Sequence, residues 1–180
     1  MYDKAHFNLV NAEVSRHLED AETSKLAHWK AAEVYERRHK LWLGLPALLL
    51  SLALSCLLSS DAKTFLNSHQ YTKWLTDGLP VLLSLLISVL SGLGAFMSFN
   101  ELAIKHRTAA ENMHSLWRDC KNWGTDFPDD TLCEKAVQTV QAYRVKLNEI
   151  NRDAPQIPKW AWKSVQQQRI EGSTSYEDER

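Results

Sequence analysis

The residues able to do chemistry are plentiful in this chain, and their spacing is informative mainly for what it excludes. His6, His17, His28 and His39 recur every eleven residues. Eleven residues make close to three helical turns, so on one helix the four imidazoles line a single stripe. Successive rings would stand about 16 Å apart along the axis, too far to share a metal ion within that helix. A stripe of imidazoles titrating near physiological pH is one reading. The other is that histidine tolerates the border between an apolar seam and solvent. The first three are each followed by a large apolar residue (Phe7, Leu18, Trp29), and three residues further on lie Val10, Ala21 and Ala32. The apolar stripe thus shares the histidines' period, which suits a straight or slightly right-handed bundle. Cys56, Cys120 and Cys133 have neither zinc-ligand spacing nor a disulfide framework. Asp129 and Asp130 are adjacent but precede a helical pattern, where carboxylates cap more readily than they bind metal. Phosphate-cradling glycine loops, HExxH and GxSxG are all missing from the sequence. The expectation is a chain with no catalytic residues, no cofactor and no metal site.

The elements that would position any such residues are set by two apolar segments. The whole chain has 180 residues, a formal charge of −1 and an isoelectric point near 6.7, so no basic field points to nucleic acid. Its mean hydropathy of −0.35 is that of a soluble protein, and the mean misleads. Leu41 to Ser60 is twenty residues without a charge, ten of them leucine, and Gly78 to Asn100 is twenty-three residues without a charge. All 43 charged side chains lie in the other 137 residues. A surface helix keeps a polar face; these segments have no charged one. Each is long enough as a helix to cross the hydrocarbon layer. The ten leucines alone favour insertion by roughly 3–6 kcal/mol. A buried hairpin inside a soluble helical bundle is the competing arrangement, and 180 residues can hardly cover two such helices on every side. The first apolar run begins only after forty residues too long and too charged for a signal-peptide n-region, so that span is expected to be retained.

Small hydroxyls pattern both segments. Ser84, Ser88, Ser91, Ala95 and Ser98 fall at spacings of 4, 3, 4 and 3, on one helical face that Gly92 and Gly94 widen. Ser51, Ser55 and Ser59 do the same in the first segment. Neither segment holds an ionisable group, which argues against a proton relay or an ion-coupled transporter. Two readings stand. Small residues let the two helices of a hairpin approach closely, or the serine stripe lines a wet path once several copies assemble.

The flanks set the rest. Residues 1–40 read as one charged helix with seven basic and seven acidic residues and no glycine or proline. Arg37, Arg38 and Lys40 abut the first span, Lys105 and Arg107 follow the second, and the loop 61–77 carries only Lys63 and Lys73. That bias predicts both termini in the cytoplasm and the loop outside. Trp42, Tyr71 and Trp74 stand where interfacial aromatics belong. Pro46 and Pro80 fall in first turns, where a missing N–H costs little. The second span is expected to run on through a helix 101–123 with the seam Phe99, Leu102/Ala103, His106, Ala109/Ala110, Met113, Leu116/Trp117, Cys120 and Trp123. After a break at 124–130, Thr131 and Glu134 form a capping-box pattern opening a helix 131–152 with Leu132, Ala136, Val140, Tyr143, Leu147 and Ile150 on one side. Residues 155–180 read as a polar, partly disordered tail. The predicted fold class is all-α: a two-span helical hairpin continuous with a cytoplasmic helical bundle, assembling as a homo-oligomer.

This layout resembles the SLATT family, two-span effectors named for their association with SMODS nucleotidyltransferases and SLOG sensor domains in bacteria. The resemblance covers roughly residues 10–150. It rests on the order charged helix, Arg/His-rich border (Arg37, Arg38, His39), span, short loop, span and long helix, with the local pattern Phe99-x-Glu101-x-Ala103-x-x-His106-x-x-Ala109-Ala110. It implies a conflict-system effector of the bacterial inner membrane, forming a pore when a partner sensor or a nucleotide-synthesising protein signals infection. It implies that the border Glu101, Ala103, His106, Ala109 and Ala110 transmits motion to the spans. A non-conducting membrane anchor that recruits a cytoplasmic partner is the alternative. The lipid bilayer is a partner on either reading.

Overall fold

The structure, a computed structural model, describes residues 4–68 and 74–171. Tyr71 and Lys73 therefore lie outside the described residues, as does 172–180. Every described element is helical. They fall into two compact units, one built from the described residues of Met1–Glu33 and Leu102–Arg180, the other from Val34–Glu101.

The first unit is a bundle. It takes most of α1 (Lys4–Arg38), most of α5 (Phe99–Lys121), the short α6 (Trp123–Asp126), α7 (Cys133–Asp153) and α8 (Lys159–Ile170). The expected seam of α5 is its buried face: Ala103, His106, Ala109, Ala110, Met113, Leu116 and Cys120 are all buried, and Trp123 of α6 continues it. Of these, Met113, Leu116, Cys120 and Trp123 share one core with Phe7, Val10, Val14 and Ala21 of α1 and Ala136, Val140, Leu147 and Ile150 of α7. Polar contacts give the directions. His28 bonds His106 and Asn11 bonds Trp123, so α1 and α5 run antiparallel. Lys146 donates to Ser115 at 3.3 Å while Tyr143, one turn earlier on α7, donates to the carbonyl of Asp119, one turn later on α5, at 3.2 Å, so α5 and α7 are antiparallel too.

Three expectations here need correction. Leu132 is 46 % exposed, and Cys133 takes the buried position instead. Asp129, rather than Thr131, caps the turn before α7: its carboxylate accepts from the Thr131 N–H and hydroxyl. A carboxylate one residue outside a 3₁₀ turn satisfies its orphan donors better than a hydroxyl inside it. Residues 155–171 are also not a bare polar tail. Pro158 opens α8 at a position where a missing N–H costs little. Ala161 and Val165 are buried, and Arg169 donates to Thr23 of α1 at 2.9 Å.

The second unit is a hairpin of α2 (Leu45–Leu58) and α4 (Leu79–Met97), which pack on each other, with a helix α3 (Ser60–Ser68) in the connecting loop. Between α1 and α2 the helix widens into a π-helical stretch, His39–Gly44, where the Leu45 N–H reaches the Lys40 carbonyl five residues back. A second such stretch, Trp74–Gly78, precedes α4. A Cβ on Gly78 would stand 3.0 Å from the Trp74 ring, so a larger residue there would push that exposed ring aside. The second apolar segment does not run unbroken into α5. Ser98 stands between α4 and α5 in the left-handed region, at φ 45° and ψ 31°.

Candidate functional site

The hairpin presents apolar surface outward. Leu45, Leu48, Leu49 and Leu52 of α2 and Val81, Leu85, Val89 and Phe96 of α4 are all exposed, Phe96 by 88 %. Only 6 % of the most apolar eighteen-residue stretch of each arm is buried, and each arm is long and apolar enough to cross a membrane. The two arms meet along half-buried positions: Ala47, Leu50, Ser51, Leu54 and Leu57 on α2, and Leu83, Ile87, Leu90 and Gly94 on α4. Leu43 of the π-helical stretch is buried, and its Cδ1 lies 3.8 Å from where a Gly94 Cβ would sit.

The serine stripe is therefore beside the seam, not in it. Ser84, Ser88, Ser91 and Ala95 are exposed, as are Ser55 and Ser59; only Ser51 and Ser98 are half-buried. Most of the hydroxyls bond their own backbone. Ser84 donates to the Val81 carbonyl at 2.8 Å, Ser88 to Ser84 at 2.9 Å, Ser98 to Ala95 at 3.1 Å, Ser51 to Ala47 at 2.8 Å and Ser59 to Cys56 at 2.8 Å. A hydroxyl satisfied this way can face hydrocarbon at low cost and still accept a bond from water. Leu50, Leu54, Leu57, Leu83, Ile87 and Leu90 make up most of the seam because a large aliphatic side chain buries more area per contact than a hydroxymethyl group, with Ala47, Ser51 and Gly94 between them.

At the ends of the hairpin, Arg37 and Arg38 are exposed, Lys40 pairs with Glu36 at 2.6 Å, and Trp42 and Trp74 are 75 % and 60 % exposed. Of the border residues, Glu101 is exposed, while Ala103, His106, Ala109 and Ala110 lie buried in the bundle.

The bundle holds one arrangement that sequence spacing did not reveal. His28 and His106 are each 1 % exposed, and their Nδ1 atoms are 2.8 Å apart. One nitrogen must donate and the other accept, so the pair is satisfied when both rings are neutral. Burial and, secondarily, the neighbouring His106 push His28 down to about 4, and burial lowers His106 as well. Ala31 and Ala32, one turn beyond His28, and Ala103, Ala109 and Ala110 around His106 are all buried. These small side chains let α1 and α5 approach closely enough for two imidazoles to touch. The legible signal was two histidines on two apolar seams; nothing local says that they face each other. The other stripe members, His6, His17 and His39, are half-buried.

One turn before His28 on α1, Lys25 is 5 % exposed with its Nζ 3.7 Å from the centroid of the Trp117 ring. Burial lowers its pKa, Glu22 opposes that, and Lys121 adds to it. Trp29, His114 and Trp117 form a run of ring contacts at 5.6 and 5.5 Å along the same face. Among the described residues no group of three His, Cys, Asp or Glu side chains could hold a metal ion. Cys120 and Cys133 are buried free thiols, and burial with the adjacent Asp119 pushes Cys120 up to about 11. In comparisons with known proteins, no family model, curated protein or solved structure matches this chain.

Proposed function

We propose that this chain is a SLATT-like, two-span effector of the bacterial inner membrane. The segments 41–60 and 78–100 lie in lipid, both termini are cytoplasmic, and several copies assemble so that a signal opens a leak. The carrying observation is the outward-facing apolar surface of the hairpin, whose leucines, valines and Phe96 have no protein to cover them. A monomeric soluble protein rarely exposes a contiguous apolar surface of this extent. The orientation follows from Arg37, Arg38, Lys40, Lys105 and Arg107 against a sparsely charged loop. The leak follows from the exposed Ser84, Ser88 and Ser91, which stay available to line a path between copies because the hairpin seam does not consume them. A partner sensor or a nucleotide signal acts on the cytoplasmic helices, and a few kcal/mol between two packings is enough to switch them.

The backbone bonds of the serine hydroxyls favour one other reading, a non-conducting anchor that recruits a cytoplasmic partner, because such a stripe needs no wet lumen. Dye release from liposomes carrying the purified chain separates the two. A conducting assembly releases dye, and Ser88→Leu/Ser91→Leu suppresses release while the protein stays inserted. Release that survives the double substitution removes the pore-lining role, and no release under any candidate trigger leaves the anchor.

A further inference from the structure

The hairpin unit contains a cleft of about 400 Å³ between the π-helical stretch and the last turns of α4. This is within the size range of pockets that seat small ligands. Its walls are Trp42, Leu43, Leu90, Leu93, Met97 and Phe99, and its only charged lining residue is Arg38. Two backbone irregularities frame it. The π-helical stretch widens the first arm at His39–Gly44, and the left-handed Ser98 ends the second just before Phe99, whose ring stacks on Tyr35 at 6.0 Å. Single-turn π-helical insertions recur at functional sites. Charge is arranged to match. Glu36, the nearest acidic residue in sequence, is engaged by Lys40 at 2.6 Å, and among the described residues Arg37 and Arg38 have no ion-pair or hydrogen-bond partner.

We infer that this cleft seats one anionic phospholipid, its phosphate at Arg37 and Arg38 and an acyl chain against Leu90, Leu93 and Met97. The inference rests on the membrane reading above. A guanidinium fork matches phosphate oxygens in a bidentate way that a lysine ammonium does not. Basic pockets beside spanning helices on the cytoplasmic side take anionic headgroups. Leu41, Leu45 and Phe96, within two residues in sequence of the lining Trp42, Leu43 and Met97, are exposed and apolar as well, so the ends of the cleft walls stay compatible with surrounding hydrocarbon. A water-soluble anion would leave those walls uncovered, which is why a lipid is the fitting occupant.

The test uses the full chain in neutral detergent with dioleoylphosphatidylglycerol or dioleoylphosphatidylcholine added, and native mass spectrometry to count retained lipid. The expected result is one retained phosphatidylglycerol, preferred over phosphatidylcholine by about tenfold or more, the scale of two surface arginines near an anionic lipid. Arg37→Gln/Arg38→Gln abolishes the preference with helicity unchanged, and Arg152→Gln, at an exposed cation of the bundle unit, leaves it intact. Leu93→Trp fills the cleft and lowers retention of both lipids. Equal retention of the two lipids by the wild-type chain overturns the inference, and so does a preference that survives Arg37→Gln/Arg38→Gln. Membrane integration is scored separately by carbonate extraction. A chain that stays in the aqueous fraction overturns the membrane reading and this assignment together, whereas an integrated chain without the lipid preference overturns this assignment alone.

Discussion

His28 and His106 share a hydrogen bond between their Nδ1 atoms at 2.8 Å although 78 residues separate them in sequence. Ring centroids 5.1 Å apart and planes tilted by 46° make this an in-core contact between two imidazoles. It joins α1 to α5 at their buried faces, and it works only while at least one of the facing nitrogens is unprotonated.

Acid should therefore loosen the bundle. Burial holds His28 near 4, below the 6.5 of an exposed imidazole, and lowers His106 in the same direction. Above about pH 6.5 both states are neutral, and the pair's contribution is fully present. As pH falls from there towards 4 the unfolded chain binds protons that the folded one refuses, so stability drops, by up to about 1.4 kcal/mol per imidazole per pH unit. Thermal unfolding in detergent between pH 7.5 and 4.5 measures it. His28→Leu/His106→Leu should flatten the acid limb, and a limb of unchanged slope would place the titration elsewhere.

Breaking the pair on one side should cost more than removing both partners. His28→Ala leaves His106 buried beside a cavity with an unmet nitrogen, a loss of roughly 2–4 kcal/mol. In His28→Leu/His106→Leu neither imidazole is left facing a missing partner across the α1–α5 contact, so the double substitution should be milder than the sum of the singles. A double-mutant cycle on unfolding midpoints reads the coupling directly.

Ser98 carries the one positive φ among the described non-glycine residues. A Cβ in the left-handed region costs on the order of 1 kcal/mol, and a branched one costs more. The order of unfolding temperatures should be glycine at or above serine, with valine clearly below, at position 98. If Ser98→Val matches the wild type, the helix does not break there.

Lys25 is held in the bundle by the face of Trp117. Removing that face, as in Trp117→Leu, leaves a desolvated ammonium poorly compensated and should cost roughly 2–3 kcal/mol. Lys25→Met removes charge and desolvation together and should stay within about 1 kcal/mol of the wild type. Chemical denaturation of the two variants side by side checks the asymmetry.

Deleting 155–180 should lower the unfolding temperature, because α8 buries Ala161 and Val165 and ties Arg169 to Thr23. Indifference to the deletion would mean that α8 does not dock.

Read by itself, the sequence determined the long helices and which faces of the bundle helices are apolar, but not the short helices α3 and α8. The α5 positions from Ala103 to Cys120 alternate apolar and charged side chains with a helical period, and their buried face follows from that pattern. The charge-free lengths of 41–60 and 78–100 were equally plain. Only the tertiary structure decided which faces meet. Inside the apolar arms every face is greasy, so periodicity carries no address. Packing area then selected Leu83, Ile87 and Leu90 for the seam and left Ser84, Ser88 and Ser91 outside it. The docking of α8 was hidden for a related reason: two small apolar residues in a polar stretch leave little trace, yet they suffice against a groove already formed by other helices. The meeting of His28 with His106 likewise depends on the antiparallel register of two distant helices, which is a property of their packing and of no local segment.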